Sequence, residues 1–168
     1  IQVVESSIYA AGYPADAAAV LLIELDGLSA GVEADVGVVR DLCLDGGARA
    51  VRIAGNEAER LRLWQGRKKA FGAMGRLAPH LVGQDAVIPR TKLAEILESI
   101  ARIAAEHGVH VCNVFHAGDG NLHPNIPYNA DDPDESERVH LAMGEIMRTC
   151  VAAGGSITGE HGVGLDKL

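Results

Sequence analysis

Aromatic side chains are scarce in this 168-residue chain, at 4% of all residues, although hydrophobic residues of every kind make up 48%. A core built from this composition must therefore consist mainly of Val, Ile, Leu and Ala. Basic residues are also few, since 15 Lys and Arg stand against 23 Asp and Glu, for a formal net charge of −8. Because binding to phosphates requires clustered positive charge, the composition argues against nucleic acid as a partner.

Long apolar runs are missing as well: no stretch is apolar enough over enough residues to span a bilayer, and none has the pattern of a signal peptide. The three cysteines, Cys43, Cys112 and Cys150, are odd in number and form no C-x-x-C pair. Free thiols in a reducing compartment are the ordinary interpretation, so we expect a cytoplasmic protein, with any membrane association made through partners. The chain begins without Met and stops soon after a glycine-rich segment, so we expect a piece of a longer protein.

Hydrophobic spacing predicts that strands and helices alternate along the chain. Strands are expected at residues 17–26, 50–54, 82–89 and 156–158. Helices are expected at residues 30–44, at 57–74 behind an N-cap at Asn56, from an N-cap at Thr91 to Gly108, and around Val139, Met143, Ile146 and Cys150. Residues 109–115 and 121–127 are joined tightly and must be antiparallel. The pattern predicts an α+β fold with a mostly antiparallel sheet, helices packed on one face, and ferredoxin-like elements.

The predicted hairpin contains the most informative residues, in the segment FHAGDGNLHPN. Asp119-Gly120 is a preferred pair for a two-residue type I′ loop, which would place His116 directly opposite His123. Opposed side chains have Cβ atoms about 4.5–5.5 Å apart, so both imidazoles can bind one metal ion. Asn125 lies on the same face. Two histidines beside a turn are also common without a metal, so a third ligand is needed.

A second cluster, GGSITGEHGVG, provides candidates for that ligand. Glu160 offers a carboxylate, and His161 offers a base whose unperturbed pKa lies near 6.5. Two histidines and one carboxylate form a recognised open metal site, which leaves a coordination position for a substrate. On these residues alone a metal-dependent hydrolase and a metal- or ligand-binding module without activity remain open, and glycine-rich segments of this kind are often ordinary loops.

Both motifs, with GYPADAAAVLLIELDG, LWQGRKKAFGAMGRLAP and VIPRTKL in the same order, resemble the C-terminal domain of FAD-linked oxidases of the vanillyl-alcohol-oxidase superfamily. The resemblance covers nearly the whole chain and implies a flavin-dependent 2-hydroxyacid dehydrogenase or oxidase. It also implies that an N-terminal FAD-binding domain and a C-terminal tail are absent here. No G-x-G-x-x-G or P-loop replaces that domain, so we expect the isolated chain to be inactive.

The resemblance implies a role for each candidate residue. His116, His123 and Glu160 match the ligands of a divalent metal, for which zinc is the expected ion, and His161 matches the catalytic base. Arg67 and Asn125 match substrate-binding residues; by itself, Arg67 would be read as a solvated helix charge. Some relatives have a substrate-binding Lys just before the residue equivalent to Asp85, and its absence here favours glycolate or D-lactate over a dicarboxylate. An iron–sulfur electron-transfer subunit is the implied partner.

Overall fold

The computed structural model describes residues 1–165 and Lys167, and it divides into two compact units, Ile1–Lys69 and Ala70–Leu168. Helices and small antiparallel sheets make up the structure, which confirms the predicted α+β class. Within the described residues, no helix has both the length and the apolar composition needed to cross a membrane.

The first unit contains three helices: α1 (Gln2–Glu5), α2 (Ser29–Asp45) and α3 (Glu57–Lys68). The helix predicted at residues 30–44 is confirmed by α2. The predicted N-cap is also confirmed, because the Asn56 side chain accepts a hydrogen bond of 3.0 Å from the backbone N–H of Glu59. The predicted helix at 57–74 is wrong as a single element, since α3 ends at Lys68 and a separate short helix begins at Ala70.

Neither strand predicted in the first unit is present, because residues 17–26 and 50–54 form no β-pairing with any described residue. Their apolar side chains are partly open to solvent, with Leu21 63% exposed and Ile53 50% exposed. A strand requires a neighbouring strand to accept and donate its backbone hydrogen bonds. Apolar composition therefore predicted two strands for which the described residues provide no neighbouring strand.

The second unit contains the remaining described elements, including a 3₁₀ turn at Arg90–Lys92. The helices are α4 (Ala70–Met74), α5 (Leu93–His107) and α6 (Pro133–Ala152), and the strands are β1 (His80–Gly83), β2 (Ala86–Val87), β3 (Cys112–Asn113), β4 (Asn121–Leu122) and β5 (Pro124–Tyr128). Strands β1, β5 and β3 form one antiparallel sheet in that order, and β2 pairs with β4 in another.

The core of this unit lies where α5 and α6 meet the strands. Its largest fully buried apolar side chains are Ile100, Ile103, Leu122, Ile126, Val139 and Ile146. Burying each such side chain contributes about 1.5–3 kcal/mol. Helix α5 ends as predicted at Gly108, whose φ of 63° is the left-handed conformation that glycine adopts without strain. Helix α6 begins behind Asp132, whose carboxylate accepts from the N–H groups of Asp134 and Glu135.

Three further predictions in the second unit need correction. The strand predicted at 82–89 is two strands in different sheets, because the chain leaves β1 at Gln84-Asp85 before β2 begins. Thr91 lies within the 3₁₀ turn, and no side chain caps α5. The predicted strand at 156–158 is only an isolated bridge from Ser156 to Val87, so its backbone is paired over one residue and not three.

Candidate metal centre

The hairpin loop is two residues longer than the sequence predicts. His116 pairs with Asn121, in the same register as the pairing of Cys112 with Asn125, so four residues form the loop. No described residue other than glycine has a positive φ, which excludes the type I′ conformation for Asp119. A long-range contact accounts for the difference: the N–H of Ile88 donates to the carbonyl of Gly120 at 2.9 Å, which holds the loop against β2.

The shift leaves the predicted histidine pair on one face of the hairpin. Side chains alternate along a strand with a period of two, so a register change of two residues preserves the face on which each one lies. His116 and His123 are therefore diagonal neighbours instead of direct partners. Their ring centroids are 5.6 Å apart and their planes meet at 85°.

Glu160 completes the cluster from a distant part of the chain. Its Oε1 lies 2.9 Å from Nε2 of His123 and 3.9 Å from Nε2 of His116. The three ligand atoms all lie within 4.8 Å of one another. Atoms bound tetrahedrally to one zinc ion at about 2.0–2.2 Å are roughly 3.4 Å apart, so the cluster fits such an ion after small movements.

A hydrogen bond to the backbone orients the ring of His123 for metal binding. The side chain is only 5% exposed, and its Nδ1 lies 3.3 Å from the backbone carbonyl of Gln84. A carbonyl can only accept, so Nδ1 donates to it, and Nε2, on the side of Glu160, is the nitrogen that a metal ion would bind. The side chains of His116 and Glu160 are 50% and 48% exposed, which leaves one side of the cluster open to solvent.

The predicted base lies directly beside the predicted ligands. Nε2 of His161 is 3.4 Å from Oε1 of Glu160. Its ring stacks on that of His123, with centroids 5.0 Å apart and planes within 8° of parallel. The His161 side chain is 58% exposed, so a solute at the open side of the cluster can reach it.

The two predicted substrate-binding residues lie in different surroundings. Asn125 is fully buried, and its Nδ2 donates to the backbone carbonyls of His123 and Cys112 at 2.6 and 3.2 Å. Its Oδ1 is buried with no hydrogen-bond partner among the described residues. Arg67 is half-buried on α3 of the first unit. Binding of a substrate by either residue stays a prediction.

Asp85 is a component of the site that the sequence analysis missed. Its side chain is buried, and its Oδ2 accepts four hydrogen bonds of 2.8–2.9 Å from the segment 158–161. Burial alone would raise the pKa of this carboxyl group, but the hydrogen bonds outweigh burial and hold its pKa well below the usual value. The available signal was a single carboxylate, beside Gln84, inside a predicted strand of mostly apolar residues, where an ionised group needs donors.

Gly159 lets the segment approach the sheet. A Cβ at this position would lie 2.6 Å from Cγ2 of Val87 and 2.9 Å from the side chain of Asn121. These separations are shorter than real Cβ contacts, so only glycine fits without displacement. The loop that contains Glu160 is therefore held by hydrogen bonds and by close packing.

The protein is thus an α+β domain with a candidate metal centre. The centre consists of two histidines and a carboxylate, is open on one side, and has a third histidine beside it. The chain belongs to the family of FAD linked oxidases, C-terminal domain, whose model matches residues 1–168. It is 50% identical to glycolate oxidase subunit GlcD of Escherichia coli strain K12 over 158 residues, covering 94% of this chain and 32% of that protein.

Two further relatives show the same pattern of coverage. Glycolate oxidase subunit GlcD of Bacillus subtilis strain 168 is 42% identical over 153 residues, covering 91% of this chain and 33% of that protein. D-lactate dehydrogenase of Anaerostipes hadrus is 33% identical over 131 residues, covering 76% of this chain and 27% of that protein. The chain thus spans about a third of the length of the curated relatives that it matches.

Proposed function

We propose that this domain forms the metal- and substrate-binding part of an FAD-dependent oxidoreductase that acts on a small 2-hydroxyacid, of the glycolate or D-lactate type. The observation that carries the proposal is the convergence of His116, His123 and Glu160, with His161 at 3.4 Å from the shared carboxylate oxygen. Family membership and the names of the relatives support this chemistry over that of a hydrolase built on a similar cluster.

The ligand set suits a divalent cation such as zinc. Nε2 of each histidine and Oε1 of Glu160 would be the ligand atoms, and the hydrogen bond from Nδ1 of His123 to the Gln84 carbonyl leaves Nε2 as the nitrogen that faces the site. When bound, the cation supplies positive charge that lowers the pKa of a substrate α-hydroxyl group. His116 and Glu160 are half-exposed, so the side of the cluster from which that hydroxyl would approach is open to solvent.

His161 is the proposed general base. Stacking on His123 places its ring beside the ligand set, and its exposure lets a substrate hydroxyl approach Nε2, which would take the proton. The flavin, when bound, provides the acceptor for the hydride of the α-carbon. Arg67 is the proposed partner of the substrate carboxylate, because a guanidinium group can donate two parallel hydrogen bonds to it.

Two further components of the proposal concern Asn125 and the electron acceptor. Asn125 is the second proposed substrate-binding residue: Nδ2 already donates to backbone carbonyls, so Oδ1 is the atom that would accept from a substrate hydroxyl, and binding would require the fully buried side chain to become accessible. An iron–sulfur protein is the proposed electron acceptor, as the family resemblance implies, and the name of the Escherichia coli relative as a subunit supports the presence of a partner protein.

Flavin reduction in the complete, FAD-loaded protein tests the proposal. Glycolate or D-lactate should bleach the flavin under anaerobic conditions, and His161→Ala should slow bleaching by about 10²–10⁴-fold, the usual contribution of a general base, while zinc content is unchanged. His140→Ala is the matched control, because His140 is exposed on α6 and bonds to its own helix at the Ser136 carbonyl. Undiminished bleaching in His161→Ala would remove it as the base. Ester hydrolysis without flavin reduction would favour a hydrolase.

A further inference from the structure

Gln84 and Asp85, the two residues between β1 and β2, contact both halves of the metal centre. The backbone carbonyl of Gln84 lies 3.3 Å from Nδ1 of His123, a ligand on the hairpin. The carboxylate of the next residue, Asp85, accepts hydrogen bonds from residues 158–161, which we call the ligand loop because it contains Glu160. One short link therefore contacts ligands that lie 37 positions apart in the sequence.

The hydrogen bonds to Asp85 fix the backbone at the functional residues themselves. Oδ2 accepts from the N–H groups of Gly159, Glu160 and His161 at 2.8, 2.9 and 2.8 Å, and from the hydroxyl of Thr158 at 2.9 Å. Successive N–H groups that converge on one point form an anion-binding concavity, and here the chain supplies the anion from its own side chain. The bonds are charge-assisted and hence stronger than those to a neutral acceptor.

The second carboxylate oxygen of Asp85, Oδ1, indicates that this residue does more than anchor the ligand loop in the fold. Asp85 is 1% exposed, and its Oδ1 is buried with no hydrogen-bond partner among the described residues. Burying an ionised carboxylate with one oxygen unpaired is unfavourable. The cost is understandable if the position of the ligand loop must be more precise than folding alone requires. A metal site has that requirement, because metal–ligand distances vary by only about 0.2 Å.

We propose that Asp85 is a positioning residue of the metal centre, whose carboxylate sets the place of Glu160 relative to His123. This inference rests on the proposed function, because it assumes that the cluster binds a divalent cation. Asp85 itself touches neither the ion nor the substrate. Its effect passes through the backbone N–H groups of the ligand loop.

Asp85→Asn tests the proposal, because asparagine keeps the shape of the side chain and an oxygen acceptor but loses the charge. The Kd for zinc, measured on the full protein by competition with a chromophoric chelator, should rise about 10–100-fold, the usual effect of removing a group that orients a metal ligand. The visible spectrum of the cobalt-substituted protein should also change. Asp35→Asn on the exposed face of α2 is the matched control, and should leave the Kd and the spectrum unchanged.

Thr158→Val provides a milder version: it removes one of the four donors to Asp85 and the bond that the Thr158 hydroxyl accepts from the N–H of Gly162, and it leaves the three backbone donors to Asp85 in place. It should raise the Kd by a smaller factor than Asp85→Asn, and it keeps the test decisive if the latter does not fold. Hydrogen exchange at the amides of residues 159–161 reports separately on how firmly the loop is held, and should be faster in Asp85→Asn.

The outcomes separate this inference from the function on which it rests. Faster exchange with an unchanged Kd and cobalt spectrum would overturn the positioning role and leave a simple anchor. Failure of the unmodified protein to bind zinc at all would overturn the metal centre, and the positioning role with it. Weaker zinc binding with faster exchange supports both.

Discussion

Replacing Gly159 by Ala should disrupt metal binding without unfolding the protein. The new methyl group would lie 2.6 Å from Cγ2 of Val87 and 2.9 Å from Oδ1 and Cγ of Asn121, whereas ordinary contact begins near 3.4 Å. The methyl group must therefore move about 0.8 Å away from the Val87 side chain and about 0.5 Å away from that of Asn121 to reach ordinary contact. Both exceed the tolerance of about 0.2 Å in a metal–ligand distance.

The loop is the part expected to move, because it lies at the surface and Asn121 is buried in β4. Zinc affinity should fall about 10–100-fold, as it does when a group that orients a ligand is disturbed. Overpacking should lower the free energy of unfolding by only about 1–3 kcal/mol. Affinity is measured by chelator competition, and stability by urea denaturation followed by circular dichroism.

Gly118→Ala is the matched control for this substitution. It makes the same chemical change in the hairpin loop, where a Cβ would meet no atom within 4 Å. Its zinc affinity should equal that of the unmodified protein, and its stability should change by no more than about 0.5–1 kcal/mol. Equal affinity in Gly159→Ala and Gly118→Ala would refute the reasoning, because the ligand loop would then tolerate displacement.

Three further predictions test the fold. Asn56→Ala should lower the free energy of unfolding by about 0.5–2 kcal/mol through loss of the α3 cap, and no change in a urea titration would contradict the capping bond. Ile100→Ala should cost about 2–5 kcal/mol because Ile100 is fully buried, whereas exposed Leu141→Ala should cost less than about 0.5; equal costs would contradict the assigned core. Burial raises the pKa of the Cys150 thiol to about 11, so a thiol reagent at pH 8 should label it only after unfolding, and labelling in the native state would contradict its burial.

The helices of this chain were largely predictable because their signals are local. Apolar residues at helical spacing predicted α2, α5 and α6, and the glycine at 108 predicted where α5 ends. The face of the hairpin was predictable for a related reason. Alternation along a strand depends only on parity, so His116 and His123 share a face in the predicted register and in the observed one.

What the sequence could not predict depends on contacts between distant residues. The length of the hairpin loop follows from the bond between Ile88 and Gly120, and nothing within the FHAGDGNLHPN segment reports it. The same holds for the expected strand at 17–26, since apolar composition cannot show whether a pairing partner exists. Asp85 was missed because its partners lie 73–76 residues further along the chain.

A crystal structure of the zinc-loaded protein, with the ion located by its anomalous scattering, tests the central claim most directly. We expect one ion bound by Nε2 of His116, Nε2 of His123 and Oε1 of Glu160, at about 2.0–2.2 Å from each atom. An ion bound elsewhere, or these three side chains turned apart with no scattering peak between them, would contradict the assignment of this cluster as a metal centre.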